Sequence, residues 1–134
     1  MTNPQHLHLA LKALAPADRA FHDDEAPSDA VAPWLVGSLQ MPEPIASMAA
    51  RTVAGVATWR VTVAAETGGQ ARVMASEVEA AWTGARLSVA GYVTGAVPPP
   101  RVTGPYAAGR TATDVNLRFQ VVVLAFDLTV SRIP

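Results

Sequence analysis

Few residues of this chain have types and spacing suited to chemistry, and the histidines are the first candidates. His6 and His8 stand two positions apart in a segment with a helical pattern, so their side chains point to different faces and do not easily share a metal. The segment His22-Asp23-Asp24 contains ligand-type residues, but adjacent side chains in an extended segment diverge. We therefore expect a solvated loop there, with no metal site and no other cofactor.

Acid–base and nucleophilic catalysis find as little support. Glu77 and Glu79 lie two apart on a predicted helix and face apart, whereas a paired-carboxylate site needs them to converge. No serine stands near a histidine in the sequence, and there is no H-E-x-x-H, Walker-type glycine loop or G-x-S-x-G motif. The chain has no cysteine, which excludes disulfides and thiolate metal sites. We predict that the protein is not an enzyme.

Composition favours one domain whose surface meets other protein. The chain has 134 residues, half of them hydrophobic, which suits a single domain over residues 1–134. Charged residues make up 16%, below the roughly 25% of ordinary soluble domains. A net charge of -1 argues against sequence-specific nucleic-acid binding. Without an apolar run of ~20 residues or a signal-peptide pattern, we expect no membrane span and no export.

The element that must position any functional residue is a strand–helix unit over residues 58–84. Apolar and polar residues alternate over 58–63, as in a strand with one buried face. Thr67 and Gln70 have the T-x-x-Q spacing of a capping box, which predicts a helix over 70–83 that stops at Gly84. An anion could bind at the same helix N-terminus, but the capping box explains the residues more simply.

The other predicted elements lie around this unit. They are a helix over 6–14 that ends before Pro16, strands over 19–22, 34–41, 53–63, 87–89 and 115–131, and irregular chain over 91–113. Residues 42–50 fit either a helical turn or an arm. The three tryptophans are expected in the core or at a subunit interface: Trp34, Trp59 and Trp82.

The last predicted strand is too long for a compact body. Seventeen extended residues would span ~55 Å, whereas a globule of this size is roughly 36 Å across. The strand must bend, break or project, and its apolar pattern indicates either two buried faces or a bulge that swaps them. A projecting apolar strand needs a neighbour to cover it, which indicates a homo-oligomer.

Charge is also unevenly distributed along the chain. Residues 86–118 are net basic, whereas residues 18–29 are acidic. Solvated loops are the simpler interpretation. The alternative is that the two regions meet between identical subunits, as head-to-tail rings require.

Four stretches carry a resemblance to a known family. They are residues 9–15 (LALKALA), 59–63 (WRVTV), 69–84 (GQARVMASEVEAAWTG) and 116–128 (NLRFQVVVLAFDL), with the L-x-V of 85–89 after the helix. In this order the chain resembles the tail terminator, or tail completion, proteins of bacteriophages with long non-contractile tails, particularly those of actinobacterial hosts. The matching motifs are scaffold patterns without catalytic residues.

The resemblance implies an α+β fold: a mixed, largely antiparallel β-sheet with two α-helices packed against it and a long C-terminal strand. It implies a homo-oligomeric ring, commonly a hexamer, that caps the tail tube, stops its polymerisation and joins the head connector. Its partners would be itself, the tail tube protein and the head–tail connector or stopper protein, with genome DNA passing through the ring. Its location would be the virion, and the host cytoplasm during assembly.

Two segments are the predicted contact elements of such a ring subunit. Arg101, Tyr106 and Arg110 would be the anchors of the loop over 91–113, and Ile45 and Met48 those of the segment over 42–50. The first alternative is a head–tail connector or stopper of the same junction. The second is a small α+β binding module or enzyme that uses the loop over 91–113 as a lid.

Overall fold

The computed structural model describes residues 4–26, 32–40, 54–89, 91–108 and 119–132. These residues form two helices and six strands, in the order α1 (Pro4–Lys12), β1 (Phe21–Asp23), β2 (Trp34–Gln40), β3 (Ala54–Ala65), α2 (Gly68–Trp82), β4 (Tyr92–Thr94), β5 (Arg101–Ala108) and β6 (Phe119–Arg132). All six strands belong to one curled, mostly antiparallel sheet on which the helices pack. The predicted α+β fold is therefore confirmed.

The sheet is built around the pairing of β3 with β6. The strand order is β1-β2-β3-β6-β4, and β5 pairs with β6 beside β4. Only the β1–β2 pair is parallel among the described pairs. The β3–β6 register runs without a shift from Ala54↔Ser131 to Ala65↔Gln120, which makes this pair the longest ladder of the sheet.

Helix α2 has the predicted cap at Thr67, but it begins at Gly68 and ends at Trp82, two residues and one residue earlier than predicted. Thr67 Oγ1 accepts a hydrogen bond from the Gln70 N–H at 3.1 Å, and Gln70 Oε1 accepts one from the Glu66 N–H at 3.1 Å. The first bond satisfies an N–H group that a helix start leaves open, and the second reaches the residue before the N-cap Thr67. Gly84 follows the helix with φ +77°, a conformation that glycine adopts without steric cost.

The core lies between the two helices and one face of the sheet. Helix α2 buries one stripe against it, formed by Ala71, Met74, Val78 and Trp82. Trp59 of β3 and Trp82 are both fully buried, with ring centroids 5.9 Å apart. The Trp82 Nε1–H also donates to the Leu11 carbonyl at 2.9 Å, so one side chain joins α1, α2 and the sheet.

The terminal strand was predicted to have either two buried faces or a bulge that swaps its faces, and the constant β3–β6 register decides between these two interpretations. There is no bulge between these strands, and alternate residues of β6 from Val122 to Val130 face the helices. On the opposite face Val121 and Ala125 are also buried. The middle of β6 therefore carries apolar residues on both faces, and the second face is only partly covered, since Val123 there is half-buried. Residues 115–118 lie outside the described residues.

The prediction of irregular chain over 91–113 was wrong. This stretch contains β4 and β5, and the strand predicted over 87–89 is reduced to a single bridge between Val89 and Tyr92. Strand β5 tolerates its glycine and proline because it lies at the sheet edge and its register shifts between Thr103 and Tyr106. Gly104 has φ +108° at this shift.

The segment between β4 and β5 is also part of the body. Val97 is buried, and its N–H donates to the Ala85 carbonyl at 2.9 Å. Its own carbonyl accepts from the Gly84 N–H at 2.6 Å. These contacts hold the start of the segment against the end of α2, so the stretch cannot be treated as a removable loop.

We expect Gly37→Ala to lower the free energy of unfolding by about 1–3 kcal/mol, as overpacking of a core does. A Cβ at Gly37 would lie 2.6 and 2.7 Å from ring carbons of Trp59 and would also overlap Phe21. Chemical denaturation measures the change. The matched control is Gly69→Ala, whose Cβ meets nothing within 4 Å and which should leave stability unchanged or slightly raised. Equal stability of the two variants would contradict the packing described.

Candidate interaction surface

The sheet face opposite the helices carries a shallow open groove of about 410 Å³, which we call the open groove. It is lined by Arg60, Thr62, Arg101, Thr103, Tyr106, Val123 and Ala125. No helix lies on this face in the described ranges. The groove is therefore formed by strands alone, with polar and cationic side chains around an apolar floor.

Cross-strand register places these side chains together. Arg60 of β3 and Arg101 of β5 both pair with Ala125 of β6, which lies between them. In the next row of this face, Thr62 and Thr103 flank Val123 in the same way. Strand spacing of about 4.8 Å puts the two arginine Cα atoms roughly 10 Å apart.

The groove has an excess of positive charge. Arg101 Nη2 donates to Asp127 Oδ1 at 3.0 Å, and Thr58 Oγ1 donates to the same oxygen at 3.0 Å. Arg60 has no hydrogen-bond or ion-pair partner within the described residues. Two arginines against one aspartate leave one net positive charge. Such a groove can bind a carboxylate or another anionic group over the apolar floor of Val123 and Ala125.

The predicted contact residues are only partly placed. Arg101 and Tyr106 both lie on β5 and line the open groove, and Tyr106 is 46% exposed. Arg110, Ile45 and Met48 lie outside the described residues. Sequence reasoning missed Arg60 and Asp127. The alternation over 58–63 puts Arg60 on the polar face of its strand, but nothing in the sequence pairs that strand with β6 in this register.

A second polar cluster joins α1 to β1. The His8 Nε2 lies 2.9 Å from Asp23 Oδ1, and Lys12 Nζ donates to Asp23 Oδ2 at 2.8 Å. His8 is buried and packs edge-on against Trp59, with centroids 5.4 Å apart. The hydrogen bond from Lys12, then that with His8, holds the pKa of Asp23 below its usual value. The prediction that Asp23 belongs to a solvated loop was wrong, because it ends β1 and anchors the first helix.

Glu77 has a partner that the sequence did not reveal. Arg19 donates from Nε and Nη2 to the two carboxylate oxygens of Glu77, at 2.8 and 3.1 Å. This bidentate hydrogen bonding lowers the pKa of Glu77 and raises that of Arg19. Glu77 therefore ties α2 to the chain before β1. Within the described ranges, no three histidine or acidic side chains group as metal ligands would.

Comparison of the chain with models of known protein families and with curated proteins gives no match. No helix in the described part of the chain is long and apolar enough to cross a membrane. Functional inference therefore depends on the fold, the open groove and the resemblance of the four stretches given above.

We expect Asp23→Asn to remove a pH-dependent part of the stability. The lowered pKa means that Asp23 contributes stability above its unfolded pKa of about 3.9, and that this contribution is lost as pH falls through the folded value. Because the carboxylate is 46% exposed, the effect at pH 7 should be at most about 1 kcal/mol.

Denaturation at pH values from 7 to 2 measures this contribution. The stability difference between the wild type and Asp23→Asn should close towards the acid end. Asp24→Asn is the control, since Asp24 is exposed and has no ion pair in the described ranges. A difference that stays constant with pH would mean that the Asp23 charge does not stabilise the fold.

Proposed function

We propose that this chain is a ring-forming virion subunit that caps the end of a bacteriophage tail tube. In this role it stops tube polymerisation and provides the surface that joins the tail to the head connector. The observation that carries the proposal is the two-sided sheet: the helices close one face, and on the other face β3, β6 and β5 form the open groove. The resemblance to tail terminator proteins supports the same role.

A subunit of this kind needs a rigid body and separate contact surfaces. The Trp59–Trp82 core provides rigidity without using the opposite sheet face. That face presents Tyr106 opposite the buried Val121, and the exposed Val56 farther along β3, opposite Thr129. Apolar and aromatic side chains of this kind, rimmed by arginines, are typical of surfaces that bind other protein.

The proposed mechanism is geometric and involves no covalent step. The ring binds the last ring of tube subunits, covers the surface on which the next tube ring would assemble, and presents a different surface to the connector. A ring of identical subunits offers two different ends, because a head-to-tail interface makes all subunits point the same way. Genome DNA would pass through its centre.

Particles that lack this protein should have defective tails. We expect overlong, headless tails beside full heads, since nothing would stop the tube from growing. Electron microscopy of particles made without the gene for this protein measures tail length directly, and particles from the complemented strain are the control. Tails of normal length that remain unattached to heads would instead support a connector or stopper.

The purified protein should form rings, either alone or on tail tubes. We expect ring-sized oligomers in mass photometry of the protein alone, or rings at tube ends in negative-stain images. A chain that stays monomeric at micromolar concentration and does not bind tail tubes would contradict the proposal. A monomer that does not bind tubes is the result expected if the protein is instead a small binding module or an enzyme.

A further inference from the structure

We infer that the open groove of one subunit binds the acidic turn of a second copy of this chain. The acidic turn consists of Asp23, Asp24 and Glu25, where β1 ends. This inference rests on the proposed homo-oligomer and names the two surfaces that would form its interface. It concerns contacts between subunits and not the contact with the tube.

The two surfaces have complementary charge. Asp24 and Glu25 are exposed and have no ion pair in the described residues, whereas Asp23 is held by Lys12. Three carboxylates against one lysine leave two net negative charges. The open groove has one net positive charge, and its Arg60 has no partner within the described ranges.

The two surfaces also lie at opposite edges of one sheet. The acidic turn follows β1, and the groove extends to β5 at the far side of β6. Four strand spacings separate β1 from β5, or about 19 Å. Arg60, on β3, lies only two spacings from β1, or about 10 Å. No hydrogen bond or ion pair joins it to the acidic turn of its own subunit in the described ranges, so both surfaces are open to a second copy.

Register places the acidic turn and the arginines at the same level along the strands. The row that contains Asp23 continues across the sheet through Gly37, Val61, Leu124 and Val102. The adjacent row contains Ser38, Arg60, Ala125 and Arg101, and Asp24 follows Asp23 in that direction. The row that contains Asp23 and the row that contains Arg60 are thus one residue apart in register.

The use of two different patches has a consequence for assembly. Two different patches on one subunit give a head-to-tail contact, which forms a ring if the rotation closes and a filament if it does not. The proposed function requires the closed form, the ring.

Within the contact, Arg60 is the main anchor. Arg101 already binds Asp127, so the guanidinium of Arg60 is the cation available to an incoming carboxylate. The hydroxyls of Thr62 and Thr103 line the same groove and can donate further hydrogen bonds. Contact with a second subunit would remove water from the apolar floor, which strengthens a charge-assisted bond.

The test uses two charge variants and their mixture. Arg60→Glu reverses the groove, and the double variant Asp24→Asn with Glu25→Lys reverses the turn, with Asn keeping the left-handed conformation that Asp24 has at φ +65°. Arg72→Glu, an exposed arginine on α2, is the control for net charge. Each is measured by mass photometry, alone and with tail tubes, and by thermal unfolding.

We expect each reversed variant alone to assemble at least about tenfold more weakly than wild type, because like charges would face each other. Its melting temperature should equal that of wild type when both are measured below the concentration at which wild type assembles. Arg72→Glu should assemble like wild type. An equimolar mixture of the two reversed variants should recover assembly, because every contact can then pair opposite charges.

Three results would overturn the inference. They are reversed variants that assemble like wild type, a mixture that does not recover, and a wild type that is monomeric both alone and on tubes. The first two leave the proposed function intact, since the ring would then use another interface. The third result would contradict both the inference and the proposed function.

Discussion

The structure depends on one uninterrupted antiparallel ladder, the pairing of β3 with β6. Every residue of β3 has a partner in β6, so the register of the sheet is set along about 40 Å of chain. A slip of one residue would move Trp59 and Phe126 from the helix side to the opposite side, which makes the register energetically unique. Both halves of the molecule follow from it: the core on one face and the open groove on the other.

The two faces have different roles because their residues differ. On the helix side, large apolar side chains of both strands pack with Trp82, whose indole bonds the end of α1. On the opposite side the same strands carry Arg60, Thr62, Val123 and Asp127, which are too polar for a core, beside the buried Val121 and Ala125. This composition is what a surface shared between assembly and solvent would have, and it is the physical basis of the proposed ring.

Local patterns predicted much of the fold. The capping box gave the start of α2, the alternation of 58–63 gave β3, and the apolar run near the end gave β6, because each signal lies within a few neighbouring residues. The failures concern contacts distant in sequence. Strand β5 was missed because its glycine and proline are tolerated only at an edge with a register shift, and the edge position is a property of the whole sheet. Among the groove residues, Arg101 and Tyr106 were predicted as contact anchors, whereas Arg60 was not, because only the pairing of β3 and β5 with β6 brings it to the same groove.

Disulfide trapping tests the central claim, a head-to-tail ring closed through the open groove, most directly. The chain has no cysteine, so a double variant with Thr103→Cys in the groove and Ala26→Cys next to the acidic turn can form no unintended disulfide, and it keeps the Asp24 and Glu25 carboxylates. About 19 Å separates the two strands within one subunit, far beyond the reach of a disulfide, so only neighbouring copies can be bridged. The account predicts a ladder of covalent oligomers that ends at the ring number, absent in either single variant. A double variant that stays monomeric under oxidation, while the wild type assembles, would contradict it.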